Sequence, residues 1–157
     1  IVDESILNNF GDEAIGYVTP LMYSAALDSP ANRKFVADYR KKYGKVPSYF
    51  SETCYTSGRW IAEAAKLVGG NVEDREKFMA AFRRVEIPDA PRGPVKLDDW
   101  GNPIQNIYVR KVERKNGELQ NTVIQTYPAV SQFWTYKPEE FLKLPVYNRD
   151  YPPCKGC

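Results

Sequence analysis

The chain has 157 residues, about one domain's worth, and its 22 Lys and Arg nearly balance its 20 Asp and Glu. The basic residues are spread along the sequence, which argues against a nucleic-acid partner, and no apolar run reaches the roughly 18 residues of a membrane span. The absence of His removes Ser-His-Asp, Cys-His and His-ligated zinc chemistry. Carboxylate, Lys or Tyr chemistry remains open, but no pair of acids stands out, so composition points first to binding, with no catalytic residue, metal or cofactor called.

The chain opens on Ile1 without Met, a charged n-region or an apolar signal core, so preceding sequence is expected. From Asp3 to Phe10, an acidic start and the spacing of Ile6, Leu7 and Phe10 predict a short helix stopped by Gly11. A strand is expected from Ala14 to about Thr19, with Pro20 ending its ladder. Ser29, Pro30 and Gly44 read as N-cap, N1 and C′ of an amphipathic helix whose apolar face carries Phe35, Val36, Tyr39 and Tyr43.

A second long helix runs from about Ser48 to Val68 and closes at Gly69-Gly70. Phe50, Cys54, Gly58, Ile61, Ala65 and Val68 form its inward stripe, with Cys54 as a small buried apolar residue. A third helix spans about Val72 to Val85 after Asn71, with Phe78, Phe82 and Val85 in the core, until Pro88 and Pro91 break the pattern.

Hairpins follow. Val95 and Leu97 alternate in a short strand, Gln105 to Glu113 forms the next, and Asn116-Gly117 suits a type I′ turn before a return strand, Leu119 to Thr126. The aromatic-rich tail has one helical stretch near Pro138 to Leu144 and is otherwise expected to wrap irregularly over a surface. Cys154 and Cys157 read best as a structural disulfide formed in an oxidising compartment, with idle thiols as the alternative. A redox dithiol would open a helix, and a zinc site would need more ligands than the chain offers.

The order "SPANRKFVADYRKKYG", then "VPSYFSETCYTSGRWIAEAAKLVGG", then "RGPVKLDDWGNPIQNIYVRKV" resembles the C-terminal part of periplasmic substrate-binding proteins of ABC transporters, of the branched-chain amino-acid (Leu/Ile/Val-binding) type. The resemblance covers most of residues 1 to about 115; the tail departs from it. It implies an α/β fragment of a type I two-lobed fold, helices packed on a sheet with β-hairpins. Residues 1–22 would end the second lobe, 23–28 cross the hinge, 29–126 close the first lobe with its return strands, and 127–157 form the tail. Exposed apolar surface is expected where absent chain would pack.

The implied function is capture of a small carboxylate, an aromatic acid or a branched-chain amino acid, by hinge closure. A membrane ABC permease and the N-terminal part of the same protein would be partners, and the location periplasmic or extracellular, soluble or membrane-tethered. Tyr55 matches the Tyr that such proteins offer to ligand near the start of this helix, against a packed aromatic as the plainer role. Tyr23 at the crossover, Asp3 as the acidic partner of an ammonium group, and Glu52 complete the ligand-binding candidates, against hinge packing, N-capping and helix-dipole complement. A ligand-sensing receptor domain and an amide-hydrolysing enzyme are the alternatives.

Overall fold

The computed structural model describes residues 2–152. Cys154 and Cys157, and with them the disulfide reading, lie outside these residues.

The elements in chain order are α1 (Leu7–Phe10), a 3₁₀ turn (Gly11–Ala14), β1 (Val18–Leu21), α2 (Pro30–Tyr43), α3 (Tyr49–Leu67), α4 (Arg75–Arg83), β2 (Glu86–Ile87), β3 (Val95–Leu97), β4 (Pro103–Lys115), β5 (Glu118–Val130) and α5 (Pro138–Phe141). One antiparallel sheet collects all five strands. β4 is its spine: β5 pairs along one edge, while β3 and β1 share the other and β2 lies outside β3. The chain is thus a mixed α/β assembly, as its alternating patterns predict.

The α2 signals are realised as read. The Ser29 hydroxyl accepts from Asn32 N at 3.1 Å, Pro30 takes N1, and Gly44 closes the helix in the left-handed region. Asn116 and Gly117 both have positive φ, the requirement of a type I′ turn, and they join two 13-residue strands. These strands outrun the predicted ones because two register shifts let the ladder continue from Lys115↔Glu118 to Gln105↔Val130.

Four readings are corrected. The first strand begins at Val18, after the 3₁₀ turn that holds Ala14, and Pro20 lies within it opposite Val109. Among the described residues β1 pairs only with β4, so the missing N–H costs no ladder bond on the free edge. α4 starts at Arg75, capped by the Asp74 carboxylate, which accepts from Lys77 N at 3.1 Å; Asn71 lies in the preceding turn. Its far end is shorter too, and Glu86–Ile87 pairs with β3.

The third correction concerns α3. Glu52, Thr56, Trp60 and Ala64 face inward, whereas Phe50 and Ile61 of the predicted stripe are 58% and 54% exposed and Gly58 is also outside. The fourth is Cys54, which is exposed on that same outer face.

Two apolar clusters carry the packing. Trp60, Ala64, Val85, Ile87, Ala90 and Val95, with Phe78, Phe82 and Leu97 against them, join α3, α4 and the β2–β3 pair. Val2, Leu7, Ala14 and Val112, with Leu119, fasten the N-terminal segment to the hairpin. The tail folds back on the turn before β4: Phe133 packs on Trp100 with ring centroids 4.8 Å apart, and Gln132 Nε2 donates to Asp98 Oδ2 at 2.7 Å.

Candidate functional site

The polar side chains of the molecule converge on the first turns of α3 and on the crossover between β1 and α2. Ser48 caps α3, accepting from Ser51 N at 3.3 Å while Ser48 N donates to Ser51 Oγ at 3.4 Å. Asp3, from the opposite end of the fold, reaches the same helix start. Its Oδ2 accepts from Tyr49 N at 3.2 Å, and its Oδ1 accepts from Ser5 N and Ser5 Oγ at 2.9 and 2.6 Å. Burial works to raise the Asp3 carboxyl, but the Ser5 and Tyr49 bonds outweigh it and hold the group below its ordinary value. A carboxylate there also meets the positive end of the helix dipole.

One turn further, Glu52 is fully buried. Its Oε2 accepts from Arg92 Nε at 2.5 Å and also meets Nη2, and Oε1 accepts from Thr56 Oγ1. Arg92 donates onward to Gln105 Oε1 at 2.9 Å and Thr53 Oγ1 at 2.5 Å, and Tyr108 Oη donates to its carbonyl at 2.6 Å. Gly93, at φ +93°, is required beside it: a Cβ there would lie 2.9 Å from Tyr108 Oη. A buried pair with its remaining donors satisfied is rigid and specific in geometry.

The crossover is pinned from both sides. Tyr23, fully buried, donates through Oη to Asn32 Oδ1 at 2.9 Å; Asn32 Nδ2 donates to the carbonyls of Leu27 and Ala25 at 2.9 and 3.1 Å. Burial, and then the charges of Glu4 and Glu52, push the Tyr23 phenol well above its ordinary value. Arg110 is fully buried on β4 and donates to the carbonyls of Tyr23 and Val2 at 2.9 and 3.2 Å and to Thr19 Oγ1 at 3.0 Å.

Of the four sequence candidates, Asp3, Tyr23 and Glu52 are thus buried with their polar atoms engaged by the protein. Tyr55 is 47% exposed, packed on Phe35 with ring centroids 4.9 Å apart, and it lines an open concavity of about 970 Å³ together with Tyr39, Tyr43, Lys42 and Arg59. Glu52 and Tyr55, three positions apart on α3, differ in exposure: Glu52 is fully buried, while Tyr55 flanks it toward the surface. Sequence reasoning missed Arg92, Arg110 and Asn32. Arg110 had a readable signal: alternation in β4 puts it between Tyr108 and Val112 on the buried face, where a charge demands partners. Asn32 sits one turn before Phe35 on the covered face of α2. Among the described residues no group of three or more Cys, Asp or Glu is placed to hold a metal ion.

The profile of the periplasmic binding protein family matches residues 1–118, so the chain belongs to that family. It is 36% identical over 131 residues to the Leu/Ile/Val-binding protein homolog 6 of Brucella abortus, a match covering 81% of this chain and 33% of that protein. A solute-binding protein of an ABC transporter from Rhodopseudomonas palustris, solved in complex with 3,4-dihydroxybenzoic acid, superposes with a TM-score of 0.79 at 39% identity over 83% of this chain and 36% of its own. A second R. palustris solute-binding protein, in complex with 4-hydroxybenzoate, gives 0.74 at 34% identity over 82% and 35%. The chain therefore spans about a third of the length of these relatives, and its fold is a fragment of the type I periplasmic-binding-protein fold.

Proposed function

We propose that this chain is part of the extracytoplasmic solute-binding component of an ABC importer, which captures a small carboxylate ligand between two lobes and presents the closed form to a membrane permease. Residues 1–22 would close the second lobe, 23–28 form the crossover and 29–126 complete the first lobe, with the β1–β4 ladder returning the chain to the second. Ligand that contacts both lobes only in the closed state shifts the hinge equilibrium by its differential affinity. The observation that carries the reading is the likeness to Rhodopseudomonas proteins solved with hydroxybenzoates, at 39% and 34% identity. It favours an aromatic acid over a branched-chain amino acid.

In this reading Tyr55 is the ligand-facing aromatic, because it alone of the candidates keeps an open face, while Asp3, Tyr23 and Glu52 set the shape of the junction behind it. The exposed stripe of α3, Phe50, Cys54 and Ile61, is the surface on which the rest of the two-lobed protein packs.

The test is a thermal-shift and calorimetric panel of 3,4-dihydroxybenzoate, 4-hydroxybenzoate, benzoate and leucine on the protein at its full natural length. Stabilisation by at least one aromatic acid, weakened about tenfold by Tyr55→Ala, is the expected result. Turnover of simple amides or esters, or no shift with any ligand, would overturn the proposal.

A further inference from the structure

The concavity of about 970 Å³ beside Tyr55 is walled by a row of rings with charges among them. Tyr55 packs on Phe35 with centroids 4.9 Å apart, Phe35 on Tyr39 at 5.9 Å and Tyr39 on Tyr43 at 4.5 Å. The three α2 rings recur every fourth residue, so one helix face and one residue of α3 together build a continuous aromatic wall. The Ser51 hydroxyl donates to Tyr39 Oη at 3.0 Å and fixes the ring in the middle. Phe35 is buried behind the row, whereas Tyr43 and Tyr55 at its ends are 53% and 47% exposed. A flat aromatic ligand finds rings to lie against along its length.

Five charged side chains line the same space, and four of them are already committed. Lys34 Nζ stands 2.6 Å from Asp38 Oδ2. Arg59 donates through Nη2 to Asp89 Oδ1 at 2.8 Å and through Nη1 to the Asp89 carbonyl at 3.2 Å. Lys42 is the exception. Among the described residues no carboxylate pairs with it, and its ammonium lies 5.3 Å from the centroid of the Tyr43 ring. An anion brought to Lys34 or Arg59 competes with a carboxylate already in place; one brought to Lys42 meets an ammonium without a counter-charge, held beside the last ring of the row.

We propose that Lys42 reads the charged end of the ligand: the ligand's ring lies along the wall between Tyr55 and Tyr43, and its carboxylate meets the Lys42 ammonium. The inference rests on the aromatic-acid reading above and adds to it an orientation and a selectivity. Three cations and two carboxylates leave the lining with one net positive charge. That balance suits a monocarboxylate, because a second carboxylate on the ligand would find only Lys34 and Arg59, each with its own acid beside it.

The experiment is titration calorimetry of the two-lobed protein proposed above with 4-hydroxybenzoate and with 4-hydroxybenzamide, which keeps the ring and hydroxyl and carries no charge. The readout is the ratio of the two affinities. The unaltered protein should favour the carboxylate about tenfold. Lys42→Met removes the charge and keeps an unbranched stem; it should lower the ratio about fivefold, the scale of one partly exposed ion pair, and Lys42→Arg should restore it. Raising salt should narrow the ratio in the unaltered protein, since the Lys42 side chain is exposed. A general distortion of α2 would weaken both ligands together and leave the ratio in place.

Binding of 4-hydroxybenzoate with the ratio unchanged in Lys42→Met overturns the role of Lys42 and leaves the proposed function standing. Binding of no aromatic acid by the unaltered protein overturns both.

Discussion

The two faces of α3 invert the usual amphipathic order. Its inward face carries Glu52, Thr56, Trp60 and Ala64 and contains a fully buried carboxylate; its outward face carries Phe50, Cys54 and Ile61, all exposed. Periodicity specifies that a stretch is helical, because both faces repeat at the same interval. It does not specify which face turns inward when both have claims. Here the choice is made by partners supplied from elsewhere: Arg92 for Glu52, and the Phe82 carbonyl, which accepts from Trp60 Nε1 at 2.9 Å.

The sharpest way to break this arrangement is to remove one half of its buried pair. Glu52→Ala leaves the Arg92 guanidinium, itself 7% exposed, without its counter-charge and should cost about 3–5 kcal/mol in urea unfolding. Replacing the partner as well, in Glu52→Leu with Arg92→Met, should recover much of that loss. If Glu52→Ala were nearly neutral, the inward face of α3 would be held by Trp60 and its neighbours alone.

Next in size is the charge on the other side of the junction. Glu4 has its carboxyl raised from 4.5 to about 7, chiefly by burial, so the folded state prefers it protonated. The stabilisation is fully present below about 4.5 and is lost as pH rises through about 7, a difference of about 3 kcal/mol. Glu4→Gln should flatten this dependence between pH 5 and 8 and be the more stable form at pH 8, as read from urea midpoints at each pH.

Caps follow, at about 1 kcal/mol. Asp74→Ala should destabilise by about that much, because its carboxylate accepts from Lys77 N, while Asn71→Ala should change little. The pair of measurements fixes where α4 begins.

Much of the frame was legible in the residues themselves. Ser29-Pro30 with Gly44, and Asn116-Gly117, are local signals whose geometry depends on neighbours a few positions away, and each folds as read. What was not legible is long-range. Pro20 is tolerated because of where β4 leaves a free edge, and Asp3 reaches Tyr49 across 46 positions. The candidates divide the same way. Tyr55, Tyr23, Asp3 and Glu52 were chosen by resemblance, and sequence could not tell that three of them would be buried, because their partners, Asn32 for Tyr23, Arg92 for Glu52 and Tyr49 for Asp3, come from separate elements.

The smallest expected effect tests what the outward face of α3 is for. Phe50→Ser and Ile61→Ser change residues that are 58% and 54% exposed, so in this chain each should stay within about 0.5 kcal/mol. The same substitutions in the two-lobed protein proposed above are a different experiment. If the remainder of a two-lobed protein covers that stripe, each change then removes a buried apolar group and should cost about 1.5–3 kcal/mol. The ratio between the two contexts is the informative quantity, since a side chain that is merely tolerated on the surface costs the same in both. Equal small effects would mean that α3 turns an apolar face to solvent throughout, and the packing surface assigned to it would have to be sought elsewhere on the chain.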